Sequence, residues 1–121
     1  MRFMSFYKPG KESDRPPTPE EMARVGALIE EMVKSGALVA TDGLVASSHG
    51  AKVRISNGRF TVVDGPFPET KEVIAGYAIL NAASKAEAIA LARRFLSVMG
   101  EGECEVREML DAPVLEERAA G

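Results

Sequence analysis

Apolar and polar positions along this chain fall into short blocks whose periods switch between those of strands and helices. The first block, Arg2-Phe3-Met4-Ser5-Phe6-Tyr7-Lys8, is apolar and aromatic and stops at Pro9-Gly10, which predicts a strand. Phe3 and Tyr7 fall on one side of it, Met4 and Phe6 on the other, so both faces need cover. Residues 9–17 are polar and rich in Pro and Gly, and predict a loop. A helix is then expected over 19–35. Thr18 can cap it, Pro19 suits its first position, and Glu21 completes a capping box. Met22, Val25, Ile29, Met32 and Val33 recur at helical spacing as one apolar stripe, and Lys34 and Gly36 suit its end.

Ala37-Leu38-Val39-Ala40-Thr41 predicts a second strand, Asp42-Gly43 a turn, and residues 43–50 a connecting loop. Two alternating runs, 51–56 and 59–63, then flank Asn57-Gly58. That is a strong hairpin signal, because both turn positions need positive φ. Val53, Ile55, Phe60 and Val62 share one face of this hairpin, and Arg54 and Thr61 lie on the other. Residues 73–80, Val-Ile-Ala-Gly-Tyr-Ala-Ile-Leu, form a continuous apolar run, the pattern of a strand buried on both faces. Ser84 and Glu87 make a second capping box. Ala88, Leu91, Ala92 and Phe95 form the stripe of a helix over about 85–99 that Gly100 ends. Residues 104–108 predict a last, half-exposed strand, and the charged tail 111–121 is expected to fray.

Without the inserted hairpin the order is βαβ twice, the split βαβ arrangement of a ferredoxin-like α+β fold, expected over residues 1–110. Two helices cover only one face of the antiparallel sheet. The first strand and the 73–80 run are apolar on both sides, so a second copy is expected to cover the other face, giving a dimeric α+β barrel.

Composition narrows the function classes. The chain has 121 residues, one domain's worth, with 45% hydrophobic and 27% charged residues. Its net charge of −3 and the lack of a stacking aromatic platform argue against nucleic-acid binding. Arg2 and Lys8 interrupt any leader-like run, and no apolar stretch reaches the roughly 20 residues of a membrane span. With one cysteine, Cys104, the fold needs no internal disulfide, and a cytoplasmic location is expected.

Asp64-Gly65-Pro66-Phe67-Pro68-Glu69-Thr70-Lys71-Glu72 closely resembles the signature of the DGPF proteins, a subgroup of the YCII-related family. The resemblance extends upstream through Gly43-Leu44 and Gly50-Ala51-Lys52-Val53-Arg54. Downstream it takes in Val73-Ile74-Ala75-Gly76-Tyr77, Glu87-Ala88-Ile89 and Glu105-Val106-Arg107, about residues 1–110 in all. It implies a ferredoxin-like α+β fold and a homodimer, and no assigned reaction. Among relatives it implies two roles: enzymes with a polar site in the dimer cleft, and proteins that accompany extracytoplasmic-function sigma factors. Some relatives carry a histidine near the start of the first helix that is assigned, with an aspartate, to an acid–base pair. Alignment on Pro19 and Met22 puts Glu21 at that position, so the pair does not carry over.

The candidate chemistry is polar. Asp64, Gly65 and Pro66 read equally as a tight turn, but Glu69, Thr70, Lys71 and Glu72 crowd behind them into a polar cluster. For an enzyme, Asp64 or Glu72 would be the general base and His49 a proton shuttle, while Arg54, Lys71 and Tyr77 would hold a small anionic ligand. His49 reads also as a solvated loop histidine, Arg54 as a surface charge, and Glu21 as a cap. Cys104 reads as a small core residue whose acidic neighbours disfavour the thiolate. No cofactor fingerprint or metal-ligand spacing is present in the sequence. Two functions remain open: a small-molecule-binding or enzyme-like dimer, and a non-catalytic accessory protein engaging a regulator such as a sigma factor.

Overall fold

The computed structural model describes residues 1–12, 15–68 and 73–110. Its elements are β1 (Arg2–Lys8), α1 (Pro19–Lys34), β2 (Leu38–Gly43), β3 (Ala51–Ser56), β4 (Arg59–Asp64), β5 (Gly76–Asn81), α2 (Lys85–Met99) and β6 (Glu103–Glu108). A single 3-10 turn, Ser47–His49, lies between β2 and β3. The four-stranded main sheet has the order β2-β5-β1-β6, and each neighbouring pair in it is antiparallel. This is the split βαβ arrangement of the expected α+β fold, and β3–β4 forms a separate two-stranded sheet inserted into it.

Both helices start as their sequences dictate. The Glu21 amide donates to Thr18 Oγ1 at 3.1 Å and the Glu87 amide to Ser84 Oγ at 3.2 Å, satisfying donors that a helix start leaves free. Glu87 closes its box by accepting from the Ala83 amide at 3.1 Å. One face of the main sheet meets the helices. Phe3, Leu38 and Leu80 from the sheet join Leu28 and Met32 of α1 and Ala88 of α2 in the core. Tyr7 sets its ring edge-on to Phe95, with centroids 5.4 Å apart. The opposite face carries Met4, Phe6, Lys8, Tyr77, Ile79, Glu105 and Arg107, by strict alternation from the core residues.

Three local expectations are corrected. The buried stripe of α1 runs through Leu28 and Met32, whereas Met22 and Val33 are 60% and 54% exposed. The helix lies on the sheet along Val25, Leu28, Ile29 and Met32, an i, i+3, i+4, i+7 set that leaves Met22 and Val33 at its flanks. Asp42 and Gly43 belong to β2 rather than to a turn, because β2 pairs with β5 as far as Gly43 opposite Gly76. Val39 is the extra residue of a β-bulge there and points to solvent, 57% exposed. The 73–80 run becomes a strand only at Gly76. Ala75 instead bridges: its amide donates to Tyr7 O and its carbonyl accepts from the Leu44 amide, each at 2.8 Å. Tyr77, Ala78 and Ile79 are half-buried rather than enclosed on both faces.

A ligand cleft beside the Asp-Gly-Pro-Phe turn

The segment after β2 folds back into the 3-10 turn, with the His49 amide on Ala46 O at 3.0 Å and the Gly50 amide on Ser47 O at 2.9 Å. Ser47 is the hub of what surrounds it. Its amide donates to Glu12 Oε1 at 2.9 Å and its hydroxyl to Glu12 Oε2 at 2.8 Å, which fastens the loop after β1 to this turn. The same hydroxyl oxygen accepts from the Phe67 amide at 3.0 Å. The Gly65 amide donates to Gly50 O at 2.9 Å, so the Asp64–Pro68 turn and the 3-10 turn lie backbone against backbone. A Cβ at Gly65 would fall inside the Ser47 carbonyl oxygen and 2.6 Å from its carbon, so the approach excludes every residue but glycine. The Gly65–Pro66 peptide bond is cis.

This contact builds one side of a cavity of about 560 Å³. Leu44, Val45, Phe67, Val73 and Ile74 make its walls largely apolar, and Glu12, Ser47, His49 and Lys52 supply its polar groups. Lys52 leans over Phe67, its Nζ 4.5 Å from the ring centroid, an attraction between the ammonium and the negative face of the ring. Phe67 in turn approaches Gly50, where an added Cβ would stand 3.9 Å from the ring. A cation and an imidazole set in an apolar hollow can hold a small molecule by its anionic end while burying its carbon body.

Of the candidate residues, His49 lines this cavity, exposed at its wall. Asp64 and Arg54 do not line it. Asp64 pairs with Ala51 at the root of the hairpin, on the same face as Val53 and Val62, whereas Arg54 pairs with Thr61 on the opposite face. The two side chains diverge, and the three groups His49, Asp64 and Arg54 do not meet. Tyr77 lies in the main sheet, where its hydroxyl donates to Asp42 Oδ2 at 2.7 Å. That bond and the charge of Asp42 push the phenol's pKa up. Lys71 and Glu72, with the rest of the 69–72 cluster and the 111–121 tail, lie outside the described residues.

Glu21 is a cap and an ion-pair partner. Arg15 Nη2 sits 3.0 Å from its carboxylate, and chiefly this hydrogen bond holds its pKa below the usual glutamate range. Cys104 is half-buried, and its thiol is pushed up mainly by burial, with the charge of Glu103 adding a smaller push. Among the described residues no group of three His, Cys, Asp or Glu is placed to hold a metal ion. No helix among them is long and apolar enough to cross a membrane.

Sequence reasoning did not single out Glu12, Ser47, Lys52 and Phe67 as site residues. Phe67 and Lys52 stand inside segments that carry the family resemblance, which was the available signal. Glu12 had none, since it reaches Ser47 only through the fold.

A family model for the YCII-related domain matches residues 1–112. The chain belongs to the YCII-related family. It is 35% identical over 89 residues to an uncharacterised protein of Rhizobium meliloti (strain 1021), a match spanning 73% of this chain and 72% of that one. Among solved structures it is similar to CutA from Xylella fastidiosa, with a TM-score of 0.44, 8% identity, and coverage of 96% and 91% of the two chains. It is also similar to a 5-chloro-2-hydroxyhydroquinone dehydrochlorinase from Burkholderia phenoliruptrix AC1100, with a TM-score of 0.45, 14% identity, and coverage of 93% and 96%. Neither structural similarity transfers an activity to this YCII-related chain.

Proposed function

We propose that this protein, a homodimer of the DGPF branch of its family, binds a small organic anion in the cleft beside the Asp64–Pro68 turn. The observation that carries the reading is the cavity of about 560 Å³ whose apolar walls hold Lys52 and His49. That volume lies within the range of about 300–1,000 Å³ typical of small-molecule sites. Lys52 supplies a positive point charge for a carboxylate or phenolate, Phe67 and Val73 supply contact for the carbon body, and His49 offers a group for proton exchange. In a catalytic version of the reading His49 moves the proton, and Asp64, at the hairpin root, takes the general-base role only if substrate reaches out of the cleft.

The test is a thermal-shift screen of aromatic and aliphatic carboxylates and phenols, followed by titration calorimetry on wild type and Lys52→Met. A ligand at 100 times its Kd adds about 2.7 kcal/mol to stability. For a chain of this size that raises Tm by roughly 10 °C. Lys52→Met is expected to weaken binding tenfold or more. A panel without any shift, or a Lys52→Met variant that binds as wild type does, refutes the reading.

The exposed apolar face of the β3–β4 hairpin favours a second reading, an accessory role in which that face engages an extracytoplasmic-function sigma factor. Co-purification with such a sigma factor at a one-to-one ratio, abolished by Ile55→Asp, would support it. Its absence would leave the cleft as the functional surface.

A further inference from the structure

The β3–β4 hairpin has the turn its sequence requires, with Asn57 at φ 51° and Gly58 at φ 76°. Every residue in both strands is nonetheless exposed. Its cross-strand pairs Val53–Val62 and Ile55–Phe60 form one apolar face, with the four side chains 67%, 63%, 62% and 72% exposed. A two-stranded ribbon uncovered on both faces is marginal in water, and such a patch on a soluble protein marks a contact surface.

We propose that this hairpin is an exchange arm: in a two-fold dimer it lays its apolar face over the open face of the partner's main sheet, and receives the partner's arm in return. The inference rests on the homodimer reading above and specifies the surfaces that make the dimer. Size supports it. A stable interface takes about 800 Å² from each partner, more than one ribbon face offers, and in the exchange each copy contributes both an arm and a sheet face. Dimensions agree. Strands of six residues are about 20 Å long, and a four-stranded sheet is about 15 Å between its outer strands.

Charge agrees too. The arm's cations, Lys52, Arg54 and Arg59, all stand on its back face, and the front face carries a single ion, Asp64, at the root of the hairpin beyond the apolar pairs. On the sheet's open face, Met4, Phe6 and Ile79 are half-buried and apolar. Four of the ions beside them, Lys8, Asp42, Glu105 and Arg107, have partners within the chain, and Arg2 and Glu103 stand at the ends of the face. Glu105 takes Lys8 at 2.7 Å and Arg107 at 3.1 Å, and Asp42 takes the Tyr77 hydroxyl. Covering this face therefore leaves none of these four unpaired.

The test begins with light scattering at micromolar concentration. Wild type is expected at about 26 kDa, twice the 13.0 kDa chain. Ile55→Asp/Phe60→Asp is expected near 13 kDa with an unchanged circular dichroism spectrum, while Val33→Asp, on exposed helix surface, stays dimeric. A monomeric wild type overturns both the exchange and the homodimer reading, and leaves a different protein as the cover. A dimer that survives the arm substitutions overturns the exchange alone. A cysteine pair, Ile55→Cys with Ile79→Cys in a Cys104→Ser background, tests geometry without relying on an unfolding-prone variant. A disulfide-linked dimer is expected only when both cysteines are present. Cross-linking by Ile55→Cys alone would mean that arm meets arm, and would overturn the proposal. Neither bears on whether the cleft binds an anion, which calorimetry reads separately.

Discussion

Replacing Gly65 by alanine adds one methyl where the Asp64–Pro68 turn lies against the 3-10 turn. The Gly65 position lies against the Ser47 carbonyl, and the atoms a Cβ would meet are all backbone: Ser47 O, Ser47 C and, at 3.3 Å, Ser48 Cα. Backbone cannot swing aside as a side chain does, so either the 3-10 turn or the Asp64–Pro68 turn must move bodily. Overpacking of this kind costs about 1–3 kcal/mol. Separation also strains the Gly65–Gly50 and Phe67–Ser47 hydrogen bonds, each with a net contribution of about 1 kcal/mol. A loss of about 2–4 kcal/mol is expected, or roughly 8–16 °C in Tm for a domain of this size. Binding should fall with it, because Ser47, His49 and Phe67, carried by the two turns, all line the cavity. The measurement is urea unfolding of Gly65→Ala beside Gly58→Ala, with titration of whichever anion the screen finds. Gly58 has φ 76° but nothing within 4 Å of a Cβ, so its variant carries backbone strain alone, about 1–2 kcal/mol, and keeps ligand affinity. A Gly65→Ala protein within 0.5 kcal/mol of wild type and with wild-type affinity would show that the two turns slide freely, and would refute the argument.

The other predictions concern the scaffold. Gly26 lies inside α1 with open space around it, so Gly26→Ala should stabilise by about 0.5–1 kcal/mol in urea unfolding. Lys8 and, to a lesser degree, Arg107 hold the Glu105 pKa below the usual glutamate range, and Arg15 does the same for Glu21. A depressed carboxylate stabilises the fold above its unfolded pKa, about 4.3, and that contribution disappears as pH falls through the lower folded value. Unfolding followed from pH 6 to pH 3 should therefore show a smaller acid loss in Glu105→Gln than in wild type, and parallel curves would contradict the pairing. Burial raises the Cys104 pKa, so iodoacetamide at pH 7.5 should label the native protein much more slowly than the urea-unfolded chain. Equal rates would mean the thiol is open to solvent.

Much of the fold was legible because its signals are local. Thr18, Pro19 and Glu21 specify a helix start through donors that lie within one turn, and Asn57-Gly58 specifies a hairpin through two dihedrals. The Asp64–Glu72 resemblance pointed to the family without any tertiary information. The stripe of α1 was less legible. Leu28 and Met22 lie equally on a helical period, and only the sheet beneath decides which of them is buried.

The cleft divides in the same way. Gly65 reads in sequence as a turn residue, and only the fold shows that it is glycine because Ser47 lies against it. Glu12 and Ser47, 35 residues apart, share two hydrogen bonds that no periodicity encodes. The hairpin's alternation determined that Arg54 and Val53 face opposite ways. It did not determine which face meets the cleft, and the register leaves Arg54 off the cavity while the neighbouring Lys52 lines it. Caps, turns and alternation depend on a few dihedrals and are written locally. A cleft depends on where distant backbones come to rest, and that follows from how the whole sheet packs.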